Sequence, residues 1–310
     1  MAELSDQPPA YPAHIDRPPA YPAHIDRPPA YPRLPRPEAG VTPPRTLTIA
    51  GSDSGGGAGI QADLRTFALT GVHGCVAVTA VTVQNSLGVS DFQEISADTV
   101  AAQIRSVVDD IGVGAVKTGM LASASIISEV ARTCRDLGIG TAIPLVVDPV
   151  AASMHGDPLL AADALITLRE QLIPLATVVT PNLDEVRLLT GIDVLDDATQ
   201  RAAARALHAM GARWALVKGG HLRSSEQSPD LLYDGTDFLE YTSARIPTPH
   251  DHGAGDTLAA ALVAALAHGY AVPDAVTYAK DWVTRCVGAA YPLGAGHGPV
   301  SAFWRLSIDT

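Results

Sequence analysis

Short, almost wholly apolar runs alternate with longer stretches of helical periodicity along most of this 310-residue chain. Runs of this kind are typical of strands buried on both faces, and strands that take turns with helices pair in parallel. The pattern predicts an α/β domain. Two shorter runs near 231–233 and 238–241 flank Asp234-Gly235 and predict an antiparallel hairpin. The other predicted strands are 46–50, 74–83, 115–118, 144–147, 176–179 and 214–217, and the predicted helices are one from residue 60 and those at 98–111, 123–137, 161–171, 197–210, 256–267 and 274–290.

The first 45 residues break this pattern. A ten-residue motif rich in Pro, Ala and Tyr recurs through residues 6–35, and 13 of the chain's 24 prolines lie in residues 1–45. Such a segment makes neither helix nor sheet hydrogen bonds, so we expect an extended, largely disordered polyproline tail. The predicted organisation is a tail over 1–45 and one folded domain over 46–310. We expect this tail to be dispensable. The alternative is that its Tyr-Pro units have a docking role.

Composition limits the classes of function. With 47% hydrophobic and 17% charged residues, the chain can bury one large core. Its net charge of -12 argues against binding to a nucleic-acid backbone, which requires clustered Lys and Arg. No signal peptide is apparent, and the uncharged run 257–273 is too short and too interrupted to span a membrane. Three cysteines far apart in sequence are typical of reduced thiols, so we expect a cytoplasmic protein.

The residues His-Asp-His-Gly-Ala-Gly-Asp-Thr-Leu at 250–258 place a glycine-rich turn at the start of an uncharged helix. The first amides of a helix have no internal partners and attract anions, and Gly253 and Gly255 have no side chains to block access to them. A carboxylate at Asp256 would repel a phosphate there, unless it accepts a proton from a hydroxyl beside that phosphate. The alternative is a plain glycine turn with Asp256 as a helix cap.

Another glycine-rich stretch, residues 51–59, follows the first predicted strand. It lacks the Lys-Ser/Thr of a P-loop and the downstream acidic residue of a dinucleotide site, so we expect it to close over a small ligand. Asp63 on the following helix would face that ligand, unless it is an ordinary solvated carboxylate. Gln84, at a strand end, can pair with the edge of a nitrogen heterocycle or with nearby backbone. Met120 could lie against an aromatic ring or in the core.

Polar residues that suit a nucleotide and its metal follow two later strands. Asn182 and Glu185 form a helix-capping pattern, and their oxygens also suit a hydrated Mg²⁺. Lys218 precedes two glycines whose lack of side chains leaves room for a polyphosphate. His250 and His252 alternate as metal ligands can, but no third ligand is apparent from the sequence.

Six motifs in this order resemble those of the hydroxymethylpyrimidine/phosphomethylpyrimidine kinases of thiamine biosynthesis, within the ribokinase-like superfamily. The resemblance covers about residues 46–301, and the motifs are specific in combination although each alone is weak. They are Ala-Gly-Ser-Asp-Ser-Gly-Gly-Gly-Ala-Gly-Ile-Gln-Ala-Asp (50–63), Thr-Ala-Val-Thr-Val-Gln-Asn (79–85), Lys-Thr-Gly-Met-Leu (117–121), Thr-Pro-Asn-Leu-Asp-Glu (180–185), Val-Lys-Gly-Gly-His (217–221) and Gly-Ala-Gly-Asp (253–256).

The resemblance implies a three-layer sandwich, in which helices flank a mostly parallel central sheet, and a homodimer that uses ATP and Mg²⁺. It also implies two successive phosphorylations, first of the hydroxymethyl group of 4-amino-5-hydroxymethyl-2-methylpyrimidine and then of the resulting monophosphate. By position, the implied site residues are Asp256 and the amides of Gly253, Ala254 and Gly255 for catalysis, Gln84, Asp63, Met120 and Val150 for the pyrimidine, and Lys218, Asn182, Glu185 and Thr257 for the nucleotide, with Asn182 and Glu185 holding Mg²⁺ through water.

One departure from the family opens an alternative. Many of its pyrimidine kinases carry Cys where this chain has Asp256, whereas the sugar kinases and many pyridoxal kinases of the superfamily have Asp. A pyridoxal kinase is therefore the second hypothesis, and a non-catalytic ligand-binding protein on a kinase scaffold is the third. Either kinase is expected to transfer the γ-phosphoryl group of ATP in line, with Asp256 accepting the alcohol proton.

Overall fold

The computed structural model describes residues 34–151, 160–220 and 227–307. Most of the predicted proline-rich tail, residues 1–33, lies outside these ranges. The strands are β1 (Arg45–Ala50), β2 (His73–Val78), β3 (Ala80–Asn85), β4 (Gly88–Glu94), β5 (Ala115–Thr118), β6 (Leu145–Val147), β7 (Val178–Val179), β8 (Trp214–Val217), β9 (Gln227–Tyr233) and β10 (Phe238–Ala244). The helices are α1 (Gly59–Leu69), α2 (Ala97–Ser106), α3 (Ala124–Asp136), α4 (Ala162–Thr167), α5 (Leu183–Thr190), α6 (Asp197–Ala209), α7 (Ala254–Ala267) and α8 (Val272–Gly288), and π-helical turns extend α2 (Val107–Ile111) and α4 (Leu168–Leu172).

The main sheet is mostly parallel. Its strand order among the described residues is β10-β9-β8-β7-β6-β5-β1-β2, and the neighbours from β8 to β2 all run parallel. Strands β9 and β10 form an antiparallel hairpin on the β8 edge. The predicted hairpin is thus confirmed, with both strands longer than their most apolar residues indicated.

Helices cover both faces of this sheet. On one face, α7 packs against both α1 and α8. On the other face, residues of α2 to α6 share an apolar core with alternate strand residues such as Leu47, Ile49 and Val217. The intervening residues Thr48 and Lys117 contact polar groups of α1 and α7. The predicted α/β class, with helices on both faces of a mostly parallel sheet, is confirmed.

The prediction of a single strand over 74–83 was wrong. The chain leaves the main sheet at Thr79, whose amide donates to Ala50 O at 3.0 Å and whose hydroxyl donates to Met120 O at 2.6 Å. Strand β3 then pairs only with β4, as a separate two-stranded sheet. Val81 and Val83 on β3 are 49% and 58% exposed. A run of apolar residues does not distinguish such a half-exposed strand from a buried one, and the polar sequence of β4 gave no strand signal.

Helix α7 is buried along its length. Every residue from Thr257 to Leu266 is buried, and the helix lies against α1, α8, β1 and β5. Its small, uncharged side chains are explained by this position between two helices and the sheet. The helix begins at Ala254, two residues before the predicted start. Within the described ranges, no helix has both the length and the apolar character needed to cross a bilayer.

Candidate active site

The carboxyl ends of the parallel strands and the N-terminus of α7 meet at one edge of the sheet. Lys218 follows β8, and its Nζ lies 3.1 Å from Oδ1 of Asp148, which follows β6. A methyl group built on Gly255 would lie 3.4 Å from Lys218 Nζ. Another built on Gly119, after β5, would lie 3.9 Å from Asp256 Oδ1. The predicted turn with Asp256 is therefore adjacent to the polar strand ends.

The first turn of α7 presents unpaired backbone amides. Gly253 has a φ of 76°, a left-handed conformation that favours glycine. The Ala254 amide donates to Asp251 O at 3.1 Å, which corrects the prediction that it is available to a phosphate. In the parts of the chain that the structure describes, no hydrogen bond uses the amides of Gly253, Gly255 or Asp256. Free amides at a helix N-terminus favour an anion.

A buried lysine joins two carboxylates beside this turn. Lys117 Nζ lies 3.0 Å from Asp63 Oδ1 and 3.1 Å from Asp256 Oδ1, and the Thr48 hydroxyl donates to Asp63 Oδ2 at 2.6 Å. Burial raises the pKa of Asp63 to about 7, although Lys117 stabilises its charge. Burial also opposes the charge of Lys117, but Asp63 and Asp256 outweigh it and raise the lysine pKa. Asp63 was predicted to lie near the pyrimidine, yet its carboxylate is fully enclosed and contacts Lys117 and Thr48.

A second charged cluster lies at the ends of β6 to β8. Asp148 Oδ1 accepts from Lys218 Nζ and from the Thr180 hydroxyl, each at 3.1 Å. Asn182 and Glu185 form a reciprocal capping box with distances of 2.8 and 2.9 Å, which confirms the predicted cap. Burial raises the pKa of Glu185 to about 7, since the opposing charge of Lys218 is partly offset by Asp148. Burial lowers the pKa of Lys218, but the Asp148 and Glu185 charges prevail and raise it.

These carboxylates suit a hydrated divalent cation. Asp148 and Glu185 are each 3% exposed and lie close enough for Asp148 to raise the pKa of Glu185. Mg²⁺ usually meets only one or two protein carboxylates and fills its other positions with water and phosphate oxygens. In the described residues no three His, Cys, Asp or Glu side chains form a metal-binding group. Asp148 and Glu185 thus provide the one or two buried carboxylates that such a cation needs.

A buried ion pair fixes Gly219, the first of the two glycines after Lys218. The Gly219 amide donates to Asp230 Oδ1 at 2.8 Å, and Lys280 Nζ donates to Asp230 Oδ2, also at 2.8 Å. A methyl group on Gly219 would overlap the carbonyl oxygen of Pro229. Asp230 and Lys280 could not be predicted from the sequence, because 50 residues separate them and no local motif links them.

The first glycine-rich loop is organised by Asp53. Its carboxylate accepts from the amides of Gly55, Gly57 and Ala58 at 2.7, 2.9 and 2.8 Å. It also lies 3.0 Å from Nε2 of His252, the residue just before the glycine-rich turn at the start of α7. The two glycine loops therefore touch, and Asp53 holds one against the other.

The remaining predicted residues occupy different surroundings. Gln84 is half-buried near the end of β3, and its Nε2 lies 3.3 Å from His252 Nε2. Met120 and Val150, which follow β5 and β6, are half-buried. Thr257 is 3% exposed within the first turn of α7. Gln84 thus lies beside the residue that precedes the turn, whereas Thr257 belongs to the interior.

Substitution of Gly253 by alanine should destabilise the protein by several kcal/mol, because the added methyl group would overlap Gly57 O and the residue has a positive φ. Gly191→Ala is the matched control, since Gly191 has nearly the same left-handed conformation (φ 74°, ψ 4°) with no atom within 4 Å of the added methyl group. The control should cost only about 1 to 2 kcal/mol of backbone strain. Urea unfolding of both variants measures the difference, and equal losses would contradict the proposed tight contact.

Comparisons with known proteins give the family of this chain. The family model described as phosphomethylpyrimidine kinase matches residues 53–301, which include Asp63, Lys117, Lys218 and Asp256. The chain belongs to the phosphomethylpyrimidine kinase family. It is 66% identical over 274 residues to the hydroxymethylpyrimidine/phosphomethylpyrimidine kinase of Mycobacterium tuberculosis, an alignment that covers 88% of this chain and 99% of that protein.

Two solved structures of kinases align with this member of the phosphomethylpyrimidine kinase family over most of its length. An ADP complex of Bacillus subtilis pyridoxal kinase aligns with a TM-score of 0.78 and 39% identity, and covers 86% of this chain and 99% of its own. A phosphomethylpyrimidine kinase from Clostridium difficile aligns with a TM-score of 0.70 and 37% identity, and covers 78% and 98%. The ribokinase-like fold implied by the sequence motifs is confirmed.

Proposed function

We propose that this chain transfers the γ-phosphoryl group of ATP to 4-amino-5-hydroxymethyl-2-methylpyrimidine, and then phosphorylates the resulting monophosphate. One observation carries the proposal: the Asp256 carboxylate lies in the same helical turn as the unpaired amides of Gly253 and Gly255, beside Lys218. An anion site and a proton acceptor thus share one location. Phosphoryl transfer to an alcohol requires both.

The first turn of α7 would stabilise the transferring phosphoryl group. Charge on its equatorial oxygens would be met by the amides of Gly253, Gly255 and Asp256 and by the helix dipole. The Lys218 ammonium, which Asp148 holds near Gly255, would neutralise the phosphate oxygens on the other side. Because these groups are fixed by packing before the ligand binds, they need little reorganisation during the reaction.

Asp256 would accept the proton of the attacking hydroxyl. Its Oδ1 is held by Lys117 at 3.1 Å, and its side chain is 17% exposed. The hydrogen bond fixes the carboxylate, so Oδ2 is the oxygen available to a substrate. Lys117 would therefore act on the reaction through the position of Asp256, and Asp63 through Lys117.

Mg²⁺ would be held near Glu185 and Asn182 through water, with Asp148 beside them. When bound, it would supply positive charge that offsets the negative charge of the nucleotide phosphates. The elevated pKa of Glu185 supports this role, because a cation would replace the proton that burial favours. The buried capping box holds the Glu185 side chain in one orientation.

Glu185→Gln should make the protein less sensitive to rising pH. The pKa of Glu185 in the folded chain, about 7, lies above its ordinary 4.5, so its stabilising contribution is complete below about 4.5 and is lost as pH rises through 7. Relative to the variant, wild type should lose roughly 1 to 3 kcal/mol between pH 5 and 8. Urea unfolding without metal measures this, and added Mg²⁺ should reduce the wild-type loss. A difference independent of pH would contradict the assignment.

A pyridoxal kinase is the second candidate function, favoured by Asp256 and by the Bacillus subtilis pyridoxal kinase fold. A coupled assay of ADP formation should compare the pyrimidine alcohol, its monophosphate and pyridoxal under the same conditions. We expect the highest kcat/KM with the pyrimidine alcohol and measurable turnover of the monophosphate. Preference for pyridoxal would establish the second function, and no ADP with any of the three would leave a ligand-binding protein.

We also propose that the chain forms a homodimer in the cytoplasm. The exposed Val81 and Val83 on β3 support an association between copies, because they leave apolar area in water. The three cysteines are buried and free, as is typical of proteins in a reducing compartment.

A further inference from the structure

One imidazole nitrogen faces two different polar groups between the glycine loops. His252 Nε2 lies 3.0 Å from Asp53 Oδ2 and 3.3 Å from the side-chain nitrogen of Gln84. The backbone of His252 is fixed on both sides, because its amide donates to Gly298 O at 3.3 Å and its carbonyl accepts from Val300 N at 3.0 Å. A ring nitrogen either carries a hydrogen or accepts one. Nε2 therefore cannot donate to Asp53 and at the same time accept from Gln84.

Asp53 decides which state His252 adopts. Its carboxylate is 2% exposed and accepts three backbone amides. Burial favours the neutral acid, but the hydrogen bonds from His252 and from the amides hold the pKa of Asp53 below its usual value. The carboxylate is therefore ionised and can only accept. It follows that Nε2 of His252 carries the hydrogen and donates it to Asp53.

The other end of the Gln84 amide faces a group that can only accept. The Thr82 hydroxyl lies 3.3 Å from the Gln84 side-chain oxygen, but it donates its single hydrogen to Ser52 O at 2.7 Å. With the amide nitrogen toward His252 and the oxygen toward Thr82, donor would meet donor and acceptor would meet acceptor. A half-turn of the amide pairs both contacts correctly, since the oxygen then accepts from His252 and the nitrogen donates to Thr82.

We propose that His252 and Thr82 are positioning residues that hold Gln84 with its oxygen toward His252 and its nitrogen toward Thr82. One N–H of Gln84 then remains free for a ligand, so the site selects a heterocycle that has a ring-nitrogen acceptor. This inference rests on the proposed role of Gln84 in holding the pyrimidine. It gives the Asp53–His252 pair a task beyond joining the loops, because the ionised aspartate fixes the tautomer that orients the amide.

The tautomer can be measured without any turnover. Long-range ¹H–¹⁵N correlation NMR on the full-length ¹⁵N-labelled chain reports which ring nitrogen of a histidine is protonated, and His252→Gln assigns the signals. We expect the signals of His252 to show hydrogen on Nε2. Hydrogen on Nδ1 alone would overturn the proposal, because Nε2 would then accept from Gln84 in the opposite orientation.

Paired variants of Thr82 test selectivity. Thr82→Ser keeps the acceptor for Gln84, whereas Thr82→Val removes it. For Thr82→Val, kcat/KM should fall roughly 10-fold for the pyrimidine but stay unchanged for an analogue with C–H in place of the ring nitrogen. Thr82→Ser should match wild type, and the KM for ATP should be the same in all three. Equal losses for both substrates, or none, would overturn the proposal.

These results distinguish a failure of the proposed function from a failure of the positioning role. If wild type does not phosphorylate the pyrimidine, the proposed function fails, and the NMR result alone decides the orientation of Gln84. If wild type is active but discriminates no better than Thr82→Val, the proposed function stands and the positioning role is lost. Should Thr82→Val not fold, the tautomer of the wild-type chain still decides.

Discussion

Replacing Asp256 with asparagine should lower kcat by about 10² to 10⁴-fold, because a positioned base contributes that much to proton transfer. Asparagine keeps the size of the side chain and an oxygen for Lys117, but it does not accept the alcohol proton. The loss of one charge beside the anion site should leave ATP binding intact or slightly tighter. Single-turnover kinetics with the pyrimidine, together with ATP titration by calorimetry, separates the two effects.

Asp251→Asn is the matched control for this variant. Asp251 is exposed and contacts α7 through its backbone oxygen, so the substitution removes the same charge five residues away. The control should keep near-normal turnover. If Asp256→Asn also kept it, Asp256 would have no role as a base, and the free amides and Lys218 would be left to account for catalysis.

Replacing Lys117 with methionine should lower the free energy of unfolding by about 3 to 5 kcal/mol, because it leaves buried carboxylates without their shared cation. The energetic cost should be largest for the Asp63 carboxylate, since its side chain is fully enclosed. The double variant Lys117→Met/Asp63→Asn should recover part of the loss by removing the unpaired charge. Urea unfolding of these two variants and of the Asp63→Asn single variant measures the coupling.

Arg132→Met provides the comparison at the surface. The Arg132 side chain is 56% exposed and pairs with Glu129 and Asp136 in water. Water screens ion pairs between exposed side chains, so this substitution should have little effect on stability. A loss for Lys117→Met no larger than that for Arg132→Met would show that the buried cluster contributes little to stability.

The alternation of strand and helix was readable from the sequence because parallel strands are buried on both faces. Strand β8 was predicted with its observed bounds, Trp214–Val217. The pairing partners of the strands were harder to predict from the sequence, as β3 shows. Its apolar residues resemble those of β2, and only the hydrogen bonds of Thr79 to neighbouring strand ends separate the two. Such long-range contacts leave no local periodicity.

The sequence predicted several charged residues of the candidate site, but not all of the contacts between them. Motifs indicated Asp256, Lys218, Asn182 and Glu185 because each follows a strand or begins a helix, where polar groups gather in α/β folds. Lys117 begins one of the motifs, 117–121, but it lies inside a predicted strand and was given no role. Asp63 was therefore assigned to the ligand, when its partner is that lysine. Ionic contacts across 54 residues arise from the fold and are not visible in a motif.

The most direct measurement is a crystal structure of the chain with Mg²⁺, a non-hydrolysable ATP analogue and the pyrimidine alcohol. We expect the terminal phosphate to accept hydrogen bonds from the amides of Gly253, Gly255 and Asp256, with the substrate hydroxyl within hydrogen-bonding distance of Asp256 Oδ2. A terminal phosphate bound away from this turn, or a hydroxyl out of reach of Asp256, would contradict the central claim.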